Sequence, residues 1–452
     1  MARSSGTTTM RDSAPPIGST RLVVGLMTGV GLHAFHGTAI LTALPVIADD
    51  LGGRRLYGAA ISVYLIASIV GLAAAAGPVG RRGPLPVLRA GLLVFAIGLL
   101  LSAAAPGMAS LVAARAVEGI GGGVLSTVIY ASVNLAFPAS ERSRILALLA
   151  AAWVIPTLGA PPLAAWIAAS WGWRWVFLGL LPAVGLTLVC AAAPLSRIAR
   201  VPGDRPAATV GTARAVALAL GCAALLVAGG VVGSRGPAMG VALALACGGV
   251  AVVVVMVDRV LPRGTLTARR GLPSAIALRT LLALSFFGVE GFLPLATTEL
   301  LGWTPLEAGW LLSGAGITWT LGSFTEARLG GRASGRGAAV GAGVVLAGVV
   351  AEVLALRAGA PATGLYAAWW VAAFGMGVGY NVASATAMAR TASGGEGATS
   401  SALGISDSLG IALGTGVGGL FVAVGESLAW PLARALDLSL IHISEPTRLR
   451  RI

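Results

Sequence analysis

His33, His36, Arg115, Glu118, Glu290 and Asp407 each fall inside a long run of apolar residues. A charge at the centre of a bilayer costs roughly 2.5–3.5 kcal/mol or more, so such groups face a protein interior, pair, or mark a pathway. Arg115 and Glu118 are three residues apart and share a helix face. They read either as proton-handling groups or as a self-neutralising structural ion pair. His36 changes charge near neutral pH and can carry a proton; His33 lies one turn earlier on the same face. The plainer reading is a neutral histidine hydrogen-bonded inside a helix bundle. Glu290 and Asp407 have no basic residue close by in sequence, so both are expected to be unpaired. A carboxylate without a counter-ion in a low dielectric favours reversible protonation. Glu290 is the leading candidate; Asp407 has the alternative of bonding neighbouring backbone. Glu352, near the outer end of its run, is expected to snorkel. Tyr380 and Asn381 fit hydrogen bonding to a substrate or packing in the core.

Other chemistries fit less well. The chain contains no Lys, which excludes a nucleotide-binding loop of the Gly-x-x-x-x-Gly-Lys-Ser/Thr type. Cys190, Cys222 and Cys247 sit singly in apolar runs, with neither disulfide nor metal spacing. His33 and His36 have no third ligand nearby, which disfavours a membrane-embedded metal hydrolase. No cofactor and no metal are expected.

The elements that must hold these groups are membrane helices. Of 452 residues, 56% are apolar and 11% charged, against roughly 25% charged in soluble domains. About 20 apolar residues cross the hydrocarbon. Runs of that kind lie near 22–46, 56–79, 86–106, 108–137, 144–168, 174–194, 213–233, 237–260, 275–299, 305–325, 337–357, 363–389 and 400–425. With the N-terminus inside, alternation puts 21 arginines on the inner side, Arg279 among them. Arg54, Arg55, Arg174, Arg235, Arg357 and Arg434 fall outside. This is the positive-inside pattern, and it accounts for the net charge of +14 without nucleic acid. The expectation is a multi-pass protein of the plasma (inner) membrane, all-α, with a cytoplasmic N-terminus.

Segments 51–83 and 301–333 share a layout at an offset of 250: Leu51/Leu301, Gly52/Gly302, Leu56/Leu306, Gly80/Gly330 and Arg82/Arg332. Internal repeats build many transporter folds. The expected organisation is a cytoplasmic tail (1–21), a six-helix bundle (22–194), a linker with two extra helices (195–274), and a second bundle (275–437). From Leu438 the chain reads Leu-Ser-Leu-Ile-His-Ile-Ser-Glu-Pro-Thr-Arg. That string resembles a translated sequencing-library adapter. On that reading residues 438–452 are foreign, His442 has no function, and a last helix is missing.

Four motifs resemble those of the major facilitator superfamily, specifically its fourteen-helix drug:proton antiporter branch. The turn Gly80-Arg81-Arg82-Gly83-Pro84 stands where the family has Gly-x-Leu-Ala-Asp-Arg-x-Gly-Arg. Arg81 and Gly83 match, Ala76 stands for the first Gly, and Gly80 replaces the Asp; the same residues also read as a plain positive-inside turn. Arg115-Ala-Val-Glu118-Gly119-Ile-Gly121 resembles Arg-x-x-Gln-Gly-x-Gly, with Glu118 for Gln. Pro161 matches the antiporter pattern Gly-x-x-x-Gly-Pro-x-x-Gly-Gly, with alanines for glycines. In Phe35-His36-Gly37-Thr38-Ala39-Ile40-Leu41-Thr42-Ala43-Leu44-Pro45, residues Thr38, Ala43, Leu44 and Pro45 match Leu-Asp-x-Thr-Ile-Val-Asn-Val-Ala-Leu-Pro, and His36 replaces the Asp.

The resemblance implies two pseudo-symmetric six-helix bundles plus two inserted helices. It implies proton-coupled efflux of small amphipathic or drug-like compounds by a monomer in a lipid bilayer. His36, Arg115, Glu118, Glu290 and Asp407 would line the proton and substrate path. His33, Tyr380 and Asn381 would touch substrate, and Arg81, Gly83 and Pro161 would belong to the conformational switch. A proton-coupled importer or facilitator shares this architecture and stays open. A receptor or embedded enzyme without transport is the remaining class.

Overall fold

The computed structural model describes residues 20–198, 211–231, 237–329, 335–391 and 396–427. Arg3, Arg11, Arg200, Arg205, Arg235, Gly330, Arg332, Arg434 and the segment 438–452 lie outside these residues.

Among the described residues every long element is a helix. In order they are α1 (Thr20–Leu51), α2 (Tyr57–Arg82), α3 (Pro84–Ala103), α4 (Met108–Ala136), α5 (Ala139–Ser170), α6 (Arg174–Leu178), α7 (Leu181–Ser196), α8 (Thr212–Val231) and α9 (Pro237–Val260). Then follow α10 (Leu272–Glu290), α11 (Leu293–Leu301), α12 (Pro305–Leu329), α13 (Gly335–Arg357), α14 (Ala362–Ala389) and α15 (Glu396–Ser427). Each apolar run of the sequence falls on this series. Two runs are broken: 174–194 is split between α6 and α7, and 275–299 between α10 and α11. Ten of the described helical stretches are long and apolar enough to cross a membrane. The chain is a multi-pass membrane protein.

Local chemistry explains the ends. Gly83 stops α2 with φ of 83°, a conformation that glycine adopts without penalty. Pro84 then opens α3, where its missing N–H costs nothing. At α12, the Thr304 N–H donates to Glu307 Oε2 (2.7 Å) and the Glu307 N–H to Thr304 Oγ1 (3.3 Å), a reciprocal cap.

The helices fall into two groups that repeat one packing scheme. In the first, α1 packs on α5, and α2 and α3 both pack on α4; in the second, α10 packs on α15, and α12 and α13 both pack on α14. Small residues allow the close approach that drives helix association in lipid. Gly119 of α4 lies against the Tyr64 carbonyl of α2, and Gly377 of α14 against the Trp319 carbonyl of α12; a Cβ at either position would collide. Leu51 and Leu301 both end helices, and Gly52 and Gly302 follow with φ of 61° and 67°. The groups meet where α2 packs on α15 and α5 on α12. The pair α8 and α9 packs together, with α8 filling the side of the α2–α15 seam.

Helix connections gather at two ends. Asp50, Trp173, Arg54 and Glu299 meet at one, called the Arg54 face below. The α2–α3 turn and the α8–α9 ends lie at the other, the Gly83 face.

Candidate functional site: charge clusters around a central path

His36, Arg115 and Glu118 come together across α1 and α4. His36 Nε2 lies 2.7 Å from Glu118 Oε2 and 2.6 Å from Arg115 Nη1, and Arg115 Nη1 donates to Glu118 Oε2 at 2.5 Å. Ser102 of α3 donates to Glu118 Oε1 (2.5 Å), and Arg115 Nε donates to the Ala60 carbonyl of α2 (3.1 Å). Tyr64 closes the cluster: its ring lies 4.5 Å from the Arg115 guanidinium carbon and 4.8 Å from the His36 ring. His36 and Glu118 are fully buried and Arg115 is 3% exposed. The proton arithmetic is specific. A neutral imidazole nitrogen either donates or accepts. His36 Nε2 faces a guanidinium donor and a carboxylate at once, so it satisfies Glu118 when it carries a proton and Arg115 when it does not. Among the described residues His36 Nδ1 has no hydrogen-bond partner. His33 does not join this cluster; its Nδ1 is 3.1 Å from the Tyr64 hydroxyl.

The second group carries a different arrangement, and it corrects two sequence expectations. Asp407 is not unpaired. Arg279 Nε donates to its Oδ1 and Nη2 to its Oδ2, both at 2.7 Å. Arg279 is therefore no inner-loop charge: it lies within α10, with α15 carrying its carboxylate partner. Nη2 also donates to the Tyr380 hydroxyl (2.9 Å), Nη1 to Ser384 Oγ, and the guanidinium carbon lies 3.8 Å from the Tyr380 ring centre. Tyr380 thus anchors a charge on α14. Asn381 beside it is half-buried, and no hydrogen bond to it occurs among the described residues. The Arg279 and Asp407 side chains remain 14% and 19% exposed.

Glu290 ends α10 at the break before α11. It is 9% exposed, and among the described residues it makes no ion pair or hydrogen bond. Its neighbour Gly291 abuts Thr415 and Ile61, so the break sits where the two groups meet. Glu352 also departs from expectation. It does not snorkel: it is fully buried, with no hydrogen-bond partner for either oxygen among the described residues, on a helix packed against α14.

Aromatic rings pack beside a site residue in each group. Trp153 stands edge-on to His33 (5.8 Å) in the first, and Trp319 edge-on to Tyr380 (5.3 Å) in the second. Tyr130 of α4 is 47% exposed. Contacts across the seam run from the Arg54 face to mid-depth. Arg54 Nη2 bonds Glu299 (2.6 Å), the Tyr57 and Phe292 rings lie 5.5 Å apart, Gly58 abuts Gly419, and Ser62 bonds Thr415 (2.7 Å). Ser68 and Ser408 meet at 3.4 Å. Pro161 belongs to the other seam, where its backbone lies beneath Gly309. Arg81 is exposed at the end of α2, its guanidinium lying back over Gly77. Among the described residues no three His, Cys, Asp or Glu side chains converge as a metal site would require.

Sequence reasoning missed Arg279, Tyr64, Ser102, Trp153 and Trp319. Arg279 had a usable signal, since it falls inside the apolar run 275–299. The others are ordinary residues whose roles come from contacts across helices.

Residues 26–278 match the family described as the Major Facilitator Superfamily. A relative from Mycobacterium tuberculosis (strain ATCC 25618 / H37Rv), named a "Probable multidrug-efflux transporter", is 30% identical over 430 residues, covering 92% of this chain and 90% of its own. Two solved structures share the fold. The xylose transporter XylE from E. coli, in a partially occluded inward-open conformation, gives a TM-score of 0.61 at 14% identity, covering 96% of this chain and 100% of its own. A bacterial homologue of the human lysosomal transporter Spinster, inward-facing and unoccupied, gives 0.66 at 14% identity, covering 96% and 95%. The chain belongs to the Major Facilitator Superfamily, whose members are membrane transporters and not enzymes.

Proposed function

We propose that this transporter exports small amphipathic compounds in exchange for protons, as a member of the fourteen-helix drug:proton antiporter branch. The observation that carries the reading is Glu290: a carboxylate without a counter-charge, at a broken helix, on the seam between the two groups. Broken helices at the interface of repeats are where secondary transporters place substrate and coupling ions. Protonation there removes a charge from the seam and favours one facing state; release of the proton restores it. The Arg115–Glu118–His36 cluster supplies a second group of proton-dependent contacts, since His36 trades partners with its proton. Aromatic rings on both walls suit flat, apolar substrates, and Asp407 and Tyr130 supply polar partners. The M. tuberculosis relative's name supports efflux. The α8–α9 pair, lodged beside the seam, supports the fourteen-helix branch.

Closure at the Arg54 face supports a state open toward the Gly83 face. The arginine distribution supports a cytoplasmic Gly83 face, and with it an inward-facing state ready to load substrate. Driving force is ample: one charge moved through 100 mV yields about 2.3 kcal/mol, roughly a 50-fold gradient.

The test is transport in proteoliposomes with an imposed pH gradient. The wild type is expected to accumulate substrate on the acidic side; accumulation on the alkaline side identifies an importer. Glu290→Gln keeps the shape and removes the titration. It is expected to abolish pH-driven efflux while melting within a few degrees of the wild type, and unchanged efflux would remove Glu290 from the mechanism.

A further inference from the structure

At the Gly83 face the ends of α8 and α9 frame a cavity of about 410 Å³ lined by Arg214, Asp258, Arg259, Leu261 and Arg263. Three guanidinium groups against one carboxylate leave the lining cationic. Arg214 Nη1 reaches the Arg259 carbonyl (3.5 Å), tying the start of α8 to the end of α9. Asp258 Oδ1 accepts from the Gly264 N–H (3.4 Å), which holds the Arg263 turn beside the helix end. Arg259 and Arg263 are exposed. Nothing in the transport cycle uses these residues.

The neighbouring surface indicates what occupies the cavity. One face of α9 is buried against α8 at Val253 and Val257, while Val250 (52%), Val254 (46%) and Val255 (45%) on the other are exposed. This apolar strip leads down α9 to Asp258 and Arg259. A ligand that matches both features has an anionic head and hydrocarbon tails. Basic pockets between membrane helices bind the headgroups of anionic lipids in this way, and the arginine fork suits phosphate oxygens bidentately.

We propose that the α8–α9 end cavity is a binding site for an anionic phospholipid, its phosphate held by Arg214, Arg259 and Arg263 and its acyl chains laid along the exposed valines of α9. The inserted pair then has a role of its own: it anchors a charged lipid beside the α2–α15 seam, where the two groups move against each other.

Lipid binding to the detergent-purified full chain, measured by native mass spectrometry and by thermal unfolding, tests this. Phosphatidylglycerol is expected to bind and raise the melting temperature, whereas phosphatidylcholine at equal concentration is not. The triple variant Arg214→Gln, Arg259→Gln, Arg263→Gln is expected to bind phosphatidylglycerol on the order of a hundredfold more weakly. A control carrying Arg82→Gln and Arg89→Gln, with the same sign of charge change outside the cavity, is expected to keep wild-type affinity. Should the triple variant not fold, Arg263→Gln alone, in the connecting turn, is expected to weaken binding about fivefold. Equal affinity in wild type and variant, or an equal loss in the control, would overturn the site. A full stabilising shift from inorganic phosphate alone at the same concentration would overturn a lipid as its ligand.

Discussion

The two helix groups each set an arginine within a helix on a tyrosine ring and pair it with a carboxylate, yet the results differ. In the first group Arg115, Glu118 and His36 are sealed, and Tyr64 lids them. In the second, Arg279 and Asp407 keep part of their surface open. A sealed pair is satisfied by protein groups alone, here Ser102, the Ala60 carbonyl and His36, so the fold fixes its geometry. An open pair can exchange one partner for another, so its geometry is available to substrate. Glu290 is the third case, with no ion pair or hydrogen bond among the described residues. The same ingredients thus run from sealed to open as counter-charges are withdrawn.

Breaking the sealed pair should give the largest effect on stability. Glu118→Ala leaves a guanidinium buried without its carboxylate, and losing one partner of a buried pair costs about 3–5 kcal/mol. The variant is expected to melt well below the wild type or fail to accumulate in the membrane. Replacing both groups, Arg115→Met with Glu118→Met, removes the orphaned charge and is expected to recover most of the loss in melting temperature. Recovery of fold without recovery of pH-driven transport would assign the pair to proton handling; recovery of both would make it structural.

Asp407→Asn should act the other way round. Its partner Arg279 retains Tyr380, Ser384 and access to water, so the expected loss of stability is smaller, on the order of 1–2 kcal/mol. On the proposed mechanism the expected loss of transport is large. Its measurement is transport rate against melting temperature for one set of variants. A drop in both by the same proportion would make the Arg279 cluster a second structural pair and erase the contrast between the groups.

How far the sequence disclosed this contrast depends on the range of each contact. The thirteen runs were legible because a span is a local property, and each falls on a helical stretch of the structure. The Arg115–Glu118 pair was legible because three residues along a helix fix a shared face. His36 was expected on the proton path, but its meeting with Glu118 lies 82 residues away in sequence. The pairing of Arg279 with Asp407 spans 128 residues, and no spacing rule reaches that far. Arg279 was counted as a loop charge because arginine near a span end ordinarily is one. Glu352 was misplaced for the converse reason: proximity to a helix end says nothing about which neighbour that turn of helix faces. The break after Glu290 left only a weak trace, the Gly291 and Pro294 on either side of Phe292 and Leu293.

The smallest expected effect comes from the Arg54 face. Arg54 joins Glu299 of the opposite group and Asp49 of its own, with side chains 33%, 23% and 55% exposed. Ion pairs this wet contribute about 0–1 kcal/mol, so Arg54→Gln should leave the melting temperature nearly unchanged. It acts on a different balance. The Arg54–Glu299 contact exists only while the two groups are closed at this face, so its loss lowers the barrier-side population that it holds shut. A change of about 1 kcal/mol shifts a two-state equilibrium roughly fivefold. With Cys190, Cys222 and Cys247 replaced and Ser62→Cys introduced at the seam, labelling by a membrane-impermeant thiol reagent from the Arg54 face should speed up by that factor in the Arg54→Gln background. An unchanged rate would mean that the apolar and glycine contacts deeper in the seam, Tyr57 on Phe292 and Gly58 on Gly419, hold the face closed by themselves, and that charge distinguishes the two groups only in their interiors.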